Sequence, residues 1–176
     1  WQNDPEFIPT AMRFLDNVLE DFITKAPNTM ERAKYSAMRE RSVGLGVMGF
    51  HSFLQLKDVP VESVMAKVWN NQIFEHIHKE VDRASVILSD ERGSCPDADE
   101  VGSKERFSNK TAIAPTASIS IIAGNSSPGI EPFAANSFIQ KTLTGSFNVR
   151  NKYLEKLLNS KGFNNDQVWS SIATHE

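Results

Sequence analysis

The sequence predicts an α/β segment that is richer in helix than in strand, and three observations carry that prediction. Residues 5–26 and 60–91 place apolar side chains at helical spacing. Two short apolar runs, 41–49 and 112–114, are punctuated by glycine or stopped by proline, as short buried strands are. Polar stretches rich in turn residues separate these segments. There is no internal repeat, low-complexity tract or linker, so residues 1–176 read as a single domain segment. Both ends look abrupt: Trp1 stands almost directly before one helical pattern and Glu176 a few residues after another.

In the first helical stretch Phe7, Ile8, Ala11, Phe14, Leu15, Val18, Leu19, Phe22 and Ile23 form the apolar stripe, with Arg13, Asp16, Asn17, Glu20 and Asp21 opposite. Asp4 before Pro5 is the expected N-cap. A weaker, charged helix is expected over 29–39, where Arg32, Lys34 and Arg39 read as a solvated face. Residues 41–49, RSVGLGVMG, form a glycine-rich strand candidate, followed by a helix start at Phe50. Gly44, Gly46 and Gly49 match the letters of GxGxxG, but Met38-Arg39-Glu40-Arg41 is no buried strand. Asp58 and Glu62, where the motif wants an acidic strand end, lie near a proline and a helix start instead. The expectation is that these glycines permit close packing.

The long helix opens near Pro60 and Glu62, carries Val64, Val68, Ile73, Ile77, Val81, Ala84 and Leu88 as its stripe, and ends at Gly93. His76 and His78 are two apart and point to different sides, so a shared metal is not expected. Residues 94–109 read as a loop, and Cys95 within it as structural, because no local basic residue would lower its pKa. Beyond residue 132, alternation over 138–149 with a Gly145-Ser146 turn signal suggests a hairpin. A helix over 151–160 is expected to turn Tyr153, Leu154, Leu157 and Leu158 inward, and Asn165 or Asp166 to cap a last helix with Val168, Trp169 and Ile172.

Composition narrows the function. A chain of 176 residues with 40% hydrophobic and 23% charged residues suits a globular protein with a real core. A net charge of -3 makes no electrostatic case for nucleic acid or an anionic membrane. No apolar run is long enough for a transmembrane helix, and WQNDPEF does not begin as a signal peptide does. The single cysteine excludes an internal disulfide framework and suits a cytoplasmic location.

The chemistry is expected in Thr111 to Pro132, TAIAPTASISIIAGNSSPGIEP. Pro115 stops the apolar run, and Thr116, Ser118 and Ser120 follow at the start of a helix. A serine or threonine cap with free first-turn amides makes an anion site, most often for phosphate. An ordinary capped strand-to-helix turn would show the same letters.

APTASIS followed by SSPGIEP resembles the substrate-phosphate loop of the ribonucleotide reductase large, catalytic subunit. RERSVGLGVMGFHSFLQ, LDNVLEDFI and FNVRNKYLEKLL fit the same family in the same order. The resemblance implies part of the C-terminal half of a ten-stranded α/β barrel in which ribonucleotides are reduced by radical chemistry. It implies substrate-phosphate binding by Pro115, Thr116, Ala117, Ser118, Ile119 and Ser120, through backbone amides assisted by the hydroxyls. The family's radical-bearing cysteine, its Asn and Glu companions and the redox pair precede this region, and none of those motifs is present. The chain is therefore expected to be an incomplete piece, inactive alone, with no catalytic residue and no metal or cofactor of its own. The whole enzyme implies a radical generator, either a metal-containing small subunit or adenosylcobalamin, and a thiol reductant such as thioredoxin or glutaredoxin. Its partners would be the ribonucleotide, as diphosphate or triphosphate, the rest of the catalytic subunit and, in one class, the small subunit. Self-association is expected through the open edges that a partial barrel leaves. A non-catalytic helical interaction domain is the competing reading, supported by the amount of amphipathic helix.

Overall fold

The computed structural model describes residues 3–142 and 145–175. In chain order the elements are α1 (Phe7–Lys25), a 3-10 turn (Asn28–Met30), α2 (Glu31–Glu40), α3 (Phe50–Leu56), α4 (Val64–Arg92), α5 (Pro96–Glu100), α6 (Ile119–Ile122), β1 (Ser137–Thr142), β2 (Gly145–Arg150), α7 (Lys152–Lys161) and α8 (Asp166–His175). They fall into two compact units, Trp1–Val47 with Lys67–Ala114, and Met48–Ala66 with Pro115–Glu176. Among the described residues no helix is long and apolar enough to cross a membrane.

The first unit is built on α1 and residues 67–92 of α4. Ile8, Met12 and Ile23 of α1 are buried, as are Ile73, Ile77, Val81, Ala84 and Leu88 of α4, with Cys95, Ala98 and Phe107. The expected stripe of α4 is buried from Ile73 onward, whereas Val64 and Val68, expected in it, are exposed, and Gly93 ends the helix with φ +85°. The inward face of α1 is rotated from the expected one. Phe7, Phe14 and Val18 are each more than half exposed, whereas Asp16, expected on the polar face, is fully buried.

Three guanidiniums explain the buried carboxylate. Arg41 donates to Asp16 Oδ1 from Nε (3.2 Å) and Nη2 (2.8 Å), Arg106 Nε donates to the same oxygen (3.0 Å), and Arg92 Nη1 donates to Oδ2 (2.7 Å). Glu20, half exposed, takes a third bond from Arg41, from Nη1 at 2.8 Å. Burial pushes Asp16 up, but the hydrogen bonds from Arg41, Arg106 and Arg92 outweigh it and hold the carboxyl below its ordinary value.

Three further expectations change here. Asp4 does not cap α1 directly: its Oδ1 accepts from Glu6 N, closing a turn just before the helix. The 94–109 loop contains α5, whose start is Cys95 with Pro96 at the first position and acidic Asp97 and Asp99 in the first turn. Arg39 is not merely solvated, since it pairs with both Asp97 and Glu100 of α5.

The glycine-rich segment is extended but makes a single parallel bridge, Leu45 to Thr111, rather than a full strand. Val43 N and Leu45 N donate to Asn109 O and Lys110 O, and Ala112 N donates to Leu45 O, at 2.9 to 3.1 Å. A Cβ on Gly46 would sit 2.7 Å from the Ala112 carbonyl oxygen, and one on Gly44 2.7 Å from the Ala112 Cβ. Close backbone approach is what these two glycines provide.

In the second unit β1 and β2 form an antiparallel hairpin running from Ser137 opposite Arg150 to Thr142 opposite Gly145. Gly145 and Ser146 therefore lie in β2, not in the turn, and the connection, 143–144, falls outside the described residues. Asn151 caps α7, its Oδ1 accepting from Tyr153 N and Leu154 N. The same buried side chain donates to Asn136 Oδ1 (2.8 Å) and to Gln55 Oε1 (3.3 Å), tying the starts of β1 and α7 to α3. Asn165 caps α8 through Val168 N, and Trp169 is buried with its indole donating to Asn164. Leu157 of α7, expected inward, is about half exposed.

Candidate functional site

The expected phosphate loop lies wholly in the second unit. Pro115 leads into Thr116, whose φ of +51° is left-handed, a conformation that a β-branched residue adopts at a cost of about 1–3 kcal/mol. Its hydroxyl oxygen accepts from Gly129 N at 2.7 Å, which anchors the turn to the far side of the loop. Ser120 N donates to Thr116 O (3.0 Å) and Ser120 Oγ donates to Ala117 O (3.1 Å). Ser120 is itself buried.

These bonds leave the amides of Ala117, Ser118 and Ile119, all three exposed residues, without a protein acceptor among the described residues. Three successive donors at one turn, free of protein acceptors, are the backbone arrangement that an anion site requires. Of the three hydroxyls expected to assist, Ser120 already donates internally and Thr116 already accepts, whereas Ser118 Oγ makes no capping bond. Because α6 has only four residues, its dipole adds a fraction of what a full helix supplies. No Lys or Arg lies between Thr111 and Pro132, and the lysine bonded to this loop, Lys152, donates its Nζ to Gly124 O at 2.9 Å.

The exit from α6 is closed by Gly124 (φ +74°) and Asn125 (φ +54°). Ser126 N then donates to Ser120 O at 3.0 Å, and Ser127 is fully buried against the start of α3. Gly49 N donates to Ser127 O (2.9 Å) and Ser52 N to Ser127 Oγ (3.1 Å). His51 Nδ1 accepts from Phe133 N at 3.1 Å, and the two rings meet edge-on. That bond requires the neutral imidazole. Burial pushes His51 below its ordinary value, the Glu62 carboxylate offsetting this only in part.

The GxGxxG letters do not build a dinucleotide cradle. Gly44 and Gly46 serve the approach of Ala112, and their open side is an apolar groove of about 600 Å³ lined by Phe7, Phe14 and Leu15 among others. Gly49 and Ser52 give their amides to Ser127, which leaves fewer free donors at the start of α3. Cys95 is fully buried, with its amide bonded to Glu105 O. Among the described residues no three His, Cys, Asp or Glu side chains gather as a metal site requires.

The family model described as the ribonucleotide reductase barrel domain matches residues 1–105 and 97–176. The chain belongs to the ribonucleotide reductase barrel-domain family. It is 46% identical over 179 residues to the ribonucleoside-diphosphate reductase large subunit of Invertebrate iridescent virus 3, covering 100% of this chain and 28% of the relative. It is 35% identical over 174 residues to the vitamin B12-dependent ribonucleoside-diphosphate reductase of Thermoplasma acidophilum, covering 96% and 22%. The Actinobacillus ureae class Id ribonucleotide reductase alpha subunit has a similar structure, with a TM-score of 0.85, 34% identity and coverage of 99% of this chain and 31% of that one. The chain thus has the fold of part of the reductase barrel, and spans between 22% and 31% of the length of these relatives.

The bonding of the buried Ser127 to Ser52 is not legible in the sequence. They stand 75 residues apart, and a serine at a helix start or in a turn gives no signal of a distant partner.

Proposed function

We propose that this chain, residues 1–176, is a segment of the catalytic barrel of a ribonucleotide reductase and holds the phosphate of the ribonucleotide substrate. The supporting observation is the set of unbonded amides at the exposed residues Ala117, Ser118 and Ile119, in a turn that Thr116 and Ser120 hold from within. Pro115 sets the entry to that turn, since its ring fixes φ. Backbone donors explain how Ala117 and Ile119 belong to the site although their side chains cannot hydrogen-bond.

The overall reaction replaces the ribose 2′-hydroxyl with hydrogen, releases water and oxidises two thiols to a disulfide. A further cysteine must act as the radical that takes the 3′-hydrogen. The one cysteine here is fully buried, so this chain's share of the work is to bind and orient the phosphate end of the substrate. The thiols belong to the remainder of a cytoplasmic catalytic subunit, which a separate radical generator and a separate reductant, thioredoxin or glutaredoxin, serve. Relatives of this chain include an enzyme named as vitamin B12-dependent. No residue here is assigned to adenosylcobalamin or to a metal.

Complementation tests this reading. The 176-residue chain alone should show no ribonucleotide reduction with any thiol reductant, and should gain activity when mixed with the complementary part of the subunit. Turnover by the purified chain alone would overturn the division of labour.

A further inference from the structure

The phosphate reading leaves open how an exposed turn with a strained threonine keeps its amides aligned. Within the turn the bonds are local, but its outer wall, residues 126–129, is held by something else. Ser52 N donates to Ser127 Oγ at 3.1 Å, and Ser127 N donates to Ser52 Oγ at 2.8 Å. The exchange is reciprocal, and both side chains are buried, at 4% and 0% exposure. Gly49 N adds a third bond, to Ser127 O.

The start of α3 explains why this pair exists. First-turn amides of a helix lack intrahelical acceptors and need caps. The cap position is Gly49, which has no side chain to supply one. Ser127, arriving from a distant part of the chain, caps α3 in its place, and Ser52 returns a bond to the loop backbone. From Ser127 the connection to the phosphate turn is short in both directions. One residue before it, Ser126 N bonds Ser120 O, and two residues after it, Gly129 N bonds Thr116 Oγ1. Thr116 and Ser120 bracket the three free amides.

We propose that Ser52 and Ser127 form a two-way hydrogen-bond lock that holds the 116–129 loop in its anion-binding shape, acting as positioning residues that do not touch the phosphate. The proposal rests on the reading of Ala117, Ser118 and Ile119 as the phosphate donors. Removing either hydroxyl leaves the other residue's buried N–H without its acceptor, so the two serines act as a unit.

The test uses the natural polypeptide that carries residues 1–176, as wild type, Ser52→Ala, Ser127→Ala and the double variant. Alanine is well tolerated in a helix, so Ser52→Ala should fold. Two readings are taken: amide hydrogen exchange over 116–129 and over α7 and α8, and affinity for inorganic phosphate and for a ribonucleoside diphosphate by calorimetry. Each single variant should speed exchange in 116–129 while leaving α7 and α8 unchanged, and should weaken both ligands about threefold to tenfold. The double variant should be little worse than the more damaged single one. Folded variants that bind as tightly as wild type, or whose 116–129 exchange is unchanged, would overturn the lock. A wild type that binds neither ligand would instead overturn the phosphate reading, and the positioning role with it.

Discussion

Replacing Asp16 by asparagine should be among the most damaging single substitutions in the first unit. The cluster sets three guanidiniums, Arg41, Arg92 and Arg106, against two carboxylates, Asp16 and Glu20. Asp16→Asn leaves three positive charges against one negative. The side chains of Arg41 and Arg106 are only 7% and 8% exposed, so water cannot replace what they lose. Breaking a buried pair by removing one partner costs about 3–5 kcal/mol. Glu20 still meets Arg41 at 2.8 Å and is itself half exposed, which argues for the lower end, about 3 kcal/mol. At this chain length that corresponds to a fall in melting temperature of about 6–12 °C. The assay is thermal unfolding followed by circular dichroism at pH 7, with Arg13→Ala as the control. Arg13 meets Glu91 at the surface, and its loss should cost no more than about 1 kcal/mol. Acidity supplies the second half of the test. Asp16 titrates below its ordinary 3.8 in the folded chain, so its contribution is complete above that value and is lost as pH falls through the folded pKa. The gap between wild type and Asp16→Asn should be constant from pH 7 to about pH 5 and narrow below about pH 4. An asparagine variant within about 1 kcal/mol of wild type at pH 7, or a gap that widens in acid, would refute the reasoning.

Gly46→Val should cost about 1–3 kcal/mol from overpacking against the Ala112 carbonyl, with nucleotide affinity of the assembled enzyme unchanged. A large loss of binding at unchanged melting temperature would revive a dinucleotide role for the glycines. His51, held neutral by burial, should lose its bond from Phe133 N as pH falls through its depressed pKa, because the protonated ring no longer accepts there. Hydrogen exchange at Phe133 should therefore rise at acid pH in wild type, and a flat profile would contradict the assignment. Ser118→Ala should weaken nucleotide binding by about 0.5–1.5 kcal/mol, the worth of one hydrogen bond. Ser118→Pro should do more damage by deleting an amide donor, and equal dissociation constants for both variants and wild type would place the phosphate elsewhere.

Much of this architecture is legible along the chain because it is set by local periodicity. The stripe of α4 from Ile73 onward, its end at Gly93, the cap at the start of α8, and the pairing of β1 with β2 all follow from residues near each other in sequence. The turn proposed to hold phosphate can be located for the same reason, since the residues that shape it lie mostly between Pro115 and Gly129. What escaped depends on distant partners. Asp16 reads as a solvent-facing acid until Arg41, Arg92 and Arg106 arrive from 25, 76 and 90 residues away. Rotating α1 to bury that carboxylate is also what leaves Phe7, Phe14 and Val18 exposed. The helix α5 is a different case. Its signature, Pro at the first position followed by acids, is present, but it is one turn long and sits in a stretch whose composition is that of a loop.

The measurement that bears most directly on the role assigned to the chain is a crystal structure of the whole subunit with a bound ribonucleotide. Phosphate oxygens should lie within hydrogen-bond reach, about 2.7–3.2 Å, of the backbone nitrogens of Ala117, Ser118 and Ile119. The bonds of Gly129 N to Thr116 and of Ser120 to Ala117 should be intact in that complex. A phosphate bound at another surface, with those three amides still facing water, would contradict the account.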